Sequence, residues 1–158
     1  MRIMRADPLN ANLHSEINRA KTVKRPRAVR RSSNAKAVSP HTRLLLVDDD
    51  FDAVEALSDL LTYRGYEVAA AYNGLQALQS LALPPLPDVL ILDLSMPFMN
   101  GWELMRELGK NHDLAVIPVI VVSGLAPAAG VNLQANAVLS KPLDVEALLS
   151  VIGKLRKA

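Results

Sequence analysis

Asp48, Asp49 and Asp50 stand in a row directly after the apolar run Leu44–Val47, and Asp93 directly after the run Val89–Leu92. Ser123 follows a third run, Val119–Val122, and Ser140–Lys141–Pro142 follows a fourth, Ala137–Leu139. Carboxylates gathered in one place repel one another, which favours their protonated forms unless a cation intervenes. A hard divalent ion with oxygen ligands resolves that conflict, and Mg2+ commonly takes one or two carboxylates, waters and phosphate oxygens. The ammonium of Lys141 suits a phosphoryl oxygen as a point charge, and the Ser123 hydroxyl donates one hydrogen bond more. Such a set is suited to placing a phosphoryl group on a carboxylate, provided that the runs ahead of these residues end side by side.

Those runs, with Val68–Tyr72 as a fifth, are nearly continuous rather than alternating. That texture predicts parallel strands covered on both faces. Helical spacing lies between them. Val54, Leu57 and Leu61 recur at i, i+3 and i+7, with Gly65 as a stop. Leu75, Leu78 and Leu81 precede the breaker Pro84–Pro85; Trp102, Met105 and Leu108 precede Gly109. A last helix carries Val145, Leu148, Leu149 and Ile152, with Asp144 as its N-cap. Strands alternating with helices predict an α/β fold with one doubly wound sheet, whose ligand site lies beyond the carboxyl ends of the strands. Every residue of the first paragraph sits at such an end. Asn73–Gly74, at the end of the second run, reads only as a turn.

Length and composition bound the rest. The 158 residues suit one domain, half of them hydrophobic, but with 4% aromatics the core must rest on Leu, Val, Ile and Ala. The absence of Cys excludes disulfides and thiolate metal sites. No apolar run approaches the ~20 residues of a membrane helix, and no secretory signal stands at the start, so a cytoplasmic protein is expected. Charge divides the chain. Residues 1–41 hold ten Lys and Arg against two acids, a balance of +8; residues 42–158 hold eight against fourteen, a balance of −6. The first part has too little apolar content to offset the entropy of ordering it, and reads as a disordered basic tail. Residues 42–158 form the folded domain.

Val47-Asp48-Asp49-Asp50, Leu92-Asp93-Leu94-Ser95-Met96-Pro97 with Asn100-Gly101, Val122-Ser123-Gly124 and Ser140-Lys141-Pro142 together resemble the response-regulator receiver family. The resemblance covers roughly Arg43 to Lys157, with the motifs in the family's order. It implies a flavodoxin-like five-stranded parallel sheet of order 2-1-3-4-5. It implies that Asp93 accepts a phosphoryl group from a phosphohistidine donor, a sensor histidine kinase or a histidine phosphotransfer protein. It implies that Mg2+ is held by Asp49 directly, by Asp48 through water, by Asp93 and by the backbone carbonyl of Ser95. Ser123 matches the switch hydroxyl, Lys141 the lysine that meets the phosphoryl group, and Gly124 the residue that leaves room for it. The Lys141–Pro142 bond is implied to be cis. The domain is then a stand-alone signalling switch or relay carrier acting on an unknown downstream protein, not a turnover enzyme.

Two features depart from the family. Its aromatic switch position, three before the lysine, is Val138, and Ser123 to Lys141 is about one helical turn short. Leu125 to Asn136 contains Pro127, Gly130 and Asn132, a poor helix on propensity. Other residues have plainer readings. Asp50 and Asp52 read as helix capping and first-turn charges, with Glu55 completing a capping box on Asp52. Asn100–Gly101 reads as a turn in which Gly supplies φ > 0, and Trp102 as a packing residue. Two other functions compete. A haloacid-dehalogenase-like phosphohydrolase also uses an Asp nucleophile, but on its first strand with a second acid two residues on, whereas Asp93 is followed by Leu94–Ser95. Nucleic-acid contact through the basic tail is the other; without interleaved aromatics it would be weak and non-specific.

Overall fold

A computed structural model of the chain describes residues 42–124 and 134–156. The expectations for the basic tail and for the weak helix beyond Gly124 fall outside these residues. Five strands, β1 (Arg43–Val47), β2 (Glu67–Ala71), β3 (Val89–Asp93), β4 (Val119–Ser123) and β5 (Ala137–Ser140), form one parallel sheet in the order β2-β1-β3-β4-β5. Between and after them lie α1 (Phe51–Tyr63), α2 (Gly74–Leu81), α3 (Gly101–Lys110), a short α4 (His112–Ala115) and α5 (Val145–Leu155). The expected doubly wound sheet and strand order are both found.

The sheet separates two cores. On one face Leu45, Val47, Leu90, Leu92, Val119 and Val121 pack with Ala77 and Leu81 of α2 and Leu104 and Leu108 of α3. On the other, Leu44, Leu46, Val89, Ile91, Ile120 and Val122 pack with Val54 and Leu61 of α1 and Leu148 and Ile152 of α5. Every residue of β3 and β4 is buried, and each large aliphatic there contributes about 1.5–3 kcal/mol relative to exposure.

Cover on both faces holds for β1, β3 and β4 but not at the edges. In β2 only Ala71 is buried, and Val138 and Ser140 of β5 are exposed. A continuous apolar run does not tell a central strand from an edge. The α3 stripe also differs from expectation. Gly101, Leu104 and Leu108 face the core with Met105 packed against it at the side, whereas Trp102 lies round the helix, and α3 runs through Gly109 to Lys110. In α2 the buried residues are Gly74, Ala77 and Leu81, and Leu75 is exposed. Both Leu75 and Trp102 stand out by size, while the residues that touch the sheet include the small Gly74, Ala77 and Gly101, which let each helix approach, beside Leu81, Leu104 and Leu108.

Helix starts differ in part too. Asp50, not Asp52, caps α1, accepting from Ala53 N–H at 3.1 Å, so no box forms between Asp52 and Glu55; Asp52 is the first-turn acid. Asn73 is more than a turn residue, because it caps α2 by accepting from Gln76 N–H. Asn100 caps α3 in a reciprocal box with Glu103, both bonds at 3.0 Å. Asp144 caps α5 and Gly65 takes φ +94 after α1, as expected.

Gly101 does not supply a positive φ; that expectation is corrected. Its requirement is space. A Cβ there would run into the carbonyl oxygen of Asp93 and lie 2.8 Å from Leu94 Cα. The start of α3 is therefore seated on the backbone of the residue that ends β3. Gly74 is crowded as well, but by the side chain of Met99, whose Cβ would lie 2.9 Å and sulfur 2.8 Å from an added Cβ. A flexible thioether moves aside more cheaply than backbone. Gly101→Ala should therefore destabilise the fold by roughly 1–3 kcal/mol through overpacking, despite a gain of about 1 kcal/mol in helix propensity. Gly74→Ala should cost less. Urea unfolding of the two variants should reproduce that order; equal losses would mean that the α3 seat on β3 is not rigid.

Candidate functional site at the carboxyl edge of the sheet

Strand register brings the sequence-predicted residues together. Val47 lies beside Leu92, Leu92 beside Val121, Asp93 beside Val122, and Ser123 beside Ser140. Side chains alternate between faces along a strand. Leu44 and Leu46, Val89 and Ile91, and Ala137 and Leu139 belong to the α1/α5 side. Two residues further on, that parity gives Asp48, Asp93 and Lys141. Ser123 has the other parity, that of Val119 and Val121.

The contacts reflect this placement. Lys141 Nζ donates to Asp48 Oδ2 at 2.7 Å and to Asp93 Oδ2 at 2.9 Å. The remaining oxygens are held by backbone donors: Asp50 N–H to Asp48 Oδ1 at 2.9 Å, and Ser95 N–H to Asp93 Oδ1 at 3.1 Å. The Asp93 side chain is 7% exposed. Asp49 is exposed, yet one oxygen from each of Asp48, Asp49 and Asp93 lies within 4.8 Å of the others. Three carboxylates against one ammonium leave two negative charges in excess. A divalent cation with hard oxygen ligands fits that balance and that donor set.

Burial by itself pushes the Lys141 ammonium towards deprotonation, but hydrogen bonds to Asp48 and Asp93 and their charges outweigh it. The net result is a pKa above the ordinary lysine value. Beside it, on the same face, lies an apolar cavity of about 350 Å³ walled by Leu46, Val54, Leu57, Ile91 and Leu143, and lined also by Asp48, Asp93 and Lys141. The Lys141–Pro142 bond is cis, and Lys141 N–H donates to the Ser123 carbonyl at 3.0 Å. Ser123 is buried, and a Cβ added to its neighbour Gly124 would meet no atom of the described residues within 4 Å.

The segment between β3 and α3 is fixed at several points. Gly101 N–H donates to the Leu94 carbonyl at 3.1 Å and Gly74 N–H to the Met99 carbonyl at 3.0 Å. Met99 N–H donates back to the Pro97 carbonyl at 2.9 Å, across Phe98. Phe98 has φ 67. An i→i+2 bond around a positive φ is the uncommon, strained form of the γ-turn. For a bulky side chain such a conformation costs about 1–3 kcal/mol. Sequence reasoning passes over Phe98. The available signal is an aromatic residue in a turn bounded by Pro97 and the α3 cap, where a glycine would fit better. Met96 is buried and Met99 packs beside Gly74, in keeping with a role as loop contacts. Trp102 is partly exposed at the first turn of α3.

Comparison with known proteins agrees with this geometry. Residues 44–153 match the family model described as the response regulator receiver domain. The chain is 38% identical over 117 residues to the probable transcriptional regulator ycf29 of Pyropia yezoensis, covering 72% of this chain and 52% of that protein. It is 36% identical to the response regulator MprA of Mycobacterium tuberculosis, covering 68% of this chain and 47% of MprA. The chain thus spans about half the length of these relatives. It covers 94% of the protein PilH of Pseudomonas aeruginosa at 35% identity over 115 residues. Among solved structures, a signal receiver domain of a histidine kinase from Syntrophus aciditrophicus superposes with a TM-score of 0.66 at 30% identity, covering 73% of this chain and 90% of that one. TrrA of Thermotoga maritima, solved with Mg2+–BeF, gives 0.62 at 28% identity, covering 72% and 98%.

The raised Lys141 pKa carries a pH dependence whose sign is set. A group with a raised folded pKa contributes stability fully below its unfolded value, about 10.4, and loses it as pH rises through the folded value. Lys141→Met strands two carboxylates on one face and should lower the melting temperature at neutral pH. That deficit should stay level from pH 7 to about 10 and narrow only above about 10.4. Thermal melts in metal-free buffer across that range measure it; a deficit that disappears by pH 8 would contradict the paired ammonium.

Proposed function

The chain belongs to the response regulator receiver domain family, and from that premise we propose that it takes a phosphoryl group from a phosphohistidine onto Asp93. The observation that carries this reading is the placement of Lys141 against Asp48 and Asp93, on the strand-end side where three carboxylates converge. Phosphoryl transfer demands little covalent chemistry of a protein beyond positioning and charge compensation. An oxygen of the Asp93 carboxylate forms the new bond to phosphorus, the phosphorus–nitrogen bond of the phosphohistidine breaks, and its electron pair stays on the imidazole. Ser95 N–H and Lys141 hold the acceptor carboxylate in one orientation beforehand. Lys141 then turns to the phosphoryl oxygens as their charge arrives, and the Ser123 hydroxyl donates to one of them.

Asp49, Asp93 and the Ser95 carbonyl directly, and Asp48 through water, would hold Mg2+, which would supply positive charge to the phosphoryl oxygens. The same excess of two negative charges that fits the ion would otherwise oppose an incoming phosphate. The donors are a sensor histidine kinase or a histidine phosphotransfer protein, and the product state acts on a downstream protein rather than on a substrate turned over at this site. Val138, 45% exposed on β5, offers no ring or hydroxyl to turn inward, so the response is carried by the loops around Ser123 and Met96. Nothing among the described residues favours a phosphohydrolase: Asp93 lies on the third strand in chain order. No helix among them is long and apolar enough to cross a membrane.

With Mg2+ and acetyl phosphate, one phosphoryl group should appear on Asp93, and Asp93→Asn should abolish at least nine-tenths of the labelling. Mass spectrometry of the intact protein reads this directly; undiminished label on another residue would sink the assignment. Mg2+ at ten times its dissociation constant should stabilise the fold by ~1.4 kcal/mol through linkage. Asp49→Ala should remove most of that gain. Melting curves at low ionic strength with no response to millimolar Mg2+ would count against the metal role.

A further inference from the structure

We infer that Phe98 is a docking residue for the protein that delivers the phosphoryl group, an apolar contact that a small phosphodonor never touches. The inference rests on the acceptor role proposed for Asp93.

Phe98 is a poor choice for the isolated fold. Its φ of 67 is one that glycine adopts without steric cost and a bulky side chain does not. Burial could offset that strain, yet the residue is 87% exposed. An aromatic ring held in a strained turn and left in water stabilises nothing within the described fold. Strain of this kind persists where the surrounding structure enforces it, and it clusters at functional sites.

The surroundings do enforce it. Bonds from Gly101 to Leu94, from Gly74 to Met99 and from Met99 to Pro97 fix the backbone on both sides of the ring. Phe98 is therefore presented from a stiff frame, and an aromatic side chain with two torsions loses little entropy when a partner covers it. The same loop begins at Ser95, whose N–H holds the acceptor carboxylate. Asp93 itself is almost wholly buried, so a histidine bringing phosphorus to it must enter from the loop edge. The body of a protein donor then lies across those loops, whereas acetyl phosphate is too small to reach from Asp93 to an outward ring.

Two further aromatic rings stand at neighbouring strand ends. Gly74, bonded to Met99, follows Tyr72 and Asn73, and Tyr72 stacks on Phe51 with ring centroids 5.3 Å apart. Phe51 is 55% exposed and directly follows the Asp48–Asp50 run. The partner that fits is a folded protein whose phosphohistidine is ringed by apolar side chains. Phe98 acts as a positioning residue, not a catalytic one.

The test uses the full chain as wild type, Phe98→Gly and Phe98→Tyr. Initial rates of Asp93 labelling are measured with acetyl phosphate and with a phosphohistidine protein. That donor is the one which labels wild type fastest in a panel of purified autophosphorylated histidine kinases and histidine phosphotransfer proteins. Phe98→Gly should melt no lower than wild type, because it relieves the turn. The ratio of protein-donor rate to acetyl phosphate rate should fall about ten-fold, mostly through the donor's KM, as for loss of one well-packed aromatic contact. Phe98→Tyr should restore the ratio to within about two-fold. A Phe98→Gly ratio equal to wild type overturns the inference, and so does a panel that fails to label a chain which acetyl phosphate labels. A chain labelled by neither kind of donor instead removes the acceptor reading on which the inference stands.

Discussion

Two carboxylates on neighbouring strands, facing the same side, cannot be left alone. With oxygens under 5 Å apart, Asp48 and Asp93 repel by on the order of 3 kcal/mol at an effective dielectric constant of 20. Set against a total stability of about 5–15 kcal/mol for a domain, that is a large fraction. Lys141, donating to both, turns the repulsion into two attractions. Much of the architecture serves to bring that ammonium to that point. β5 pairs with β4 in a register that puts Ser140 beside Ser123, the next peptide bond is cis, and the lysine's own N–H is tied to the Ser123 carbonyl. The fifth strand, little buried and at the sheet edge, matters chiefly for the lysine it delivers.

The convergence needs no special geometry beyond the two-residue period of a strand. Leu46, Ile91 and Leu139 already point to the α1/α5 side, and the next residues of the same parity are Asp48, Asp93 and Lys141. What the strands do not supply, the loops do. Asp50 and Ser95 turn back so that their N–H groups meet the carboxylates, and Gly101 lets α3 begin against the Asp93 backbone. Among the bonds of the described residues to Asp93, the Ser95 N–H is main chain and only the Lys141 ammonium is side chain, which makes that part of the arrangement insensitive to most side-chain changes nearby.

That division explains what is legible in the sequence. The strands are legible because central parallel strands are continuous apolar runs, and the site residues because each directly follows one. The sheet order and the convergence of Asp48, Asp49 and Asp93 came out as expected. The helix faces are less legible. Leu75 and Trp102 outweigh Ala77 and Gly101 in any hydrophobic count, yet close approach to a sheet selects the small residue. The edge strands mislead because burial on two faces depends on neighbours that a local pattern does not contain. Gly101 reads as a turn residue because glycine's common use is conformational, while its use here is steric. Phe98 escapes notice because strain at one φ leaves no mark in composition or period.

The carboxylate of Asp93 is chemically symmetric as a free side chain, its two oxygens exchanging by rotation about one bond. In the fold they differ: one accepts from Ser95 N–H, the other from the Lys141 ammonium. A half-turn of the group would break both hydrogen bonds at once, so the two oxygens keep separate identities for as long as those partners stay in place. Whatever is bonded to one oxygen therefore leaves in a fixed direction with respect to the sheet. The residue behaves less like an acid with two equivalent sites than like one whose two oxygens the protein has already told apart.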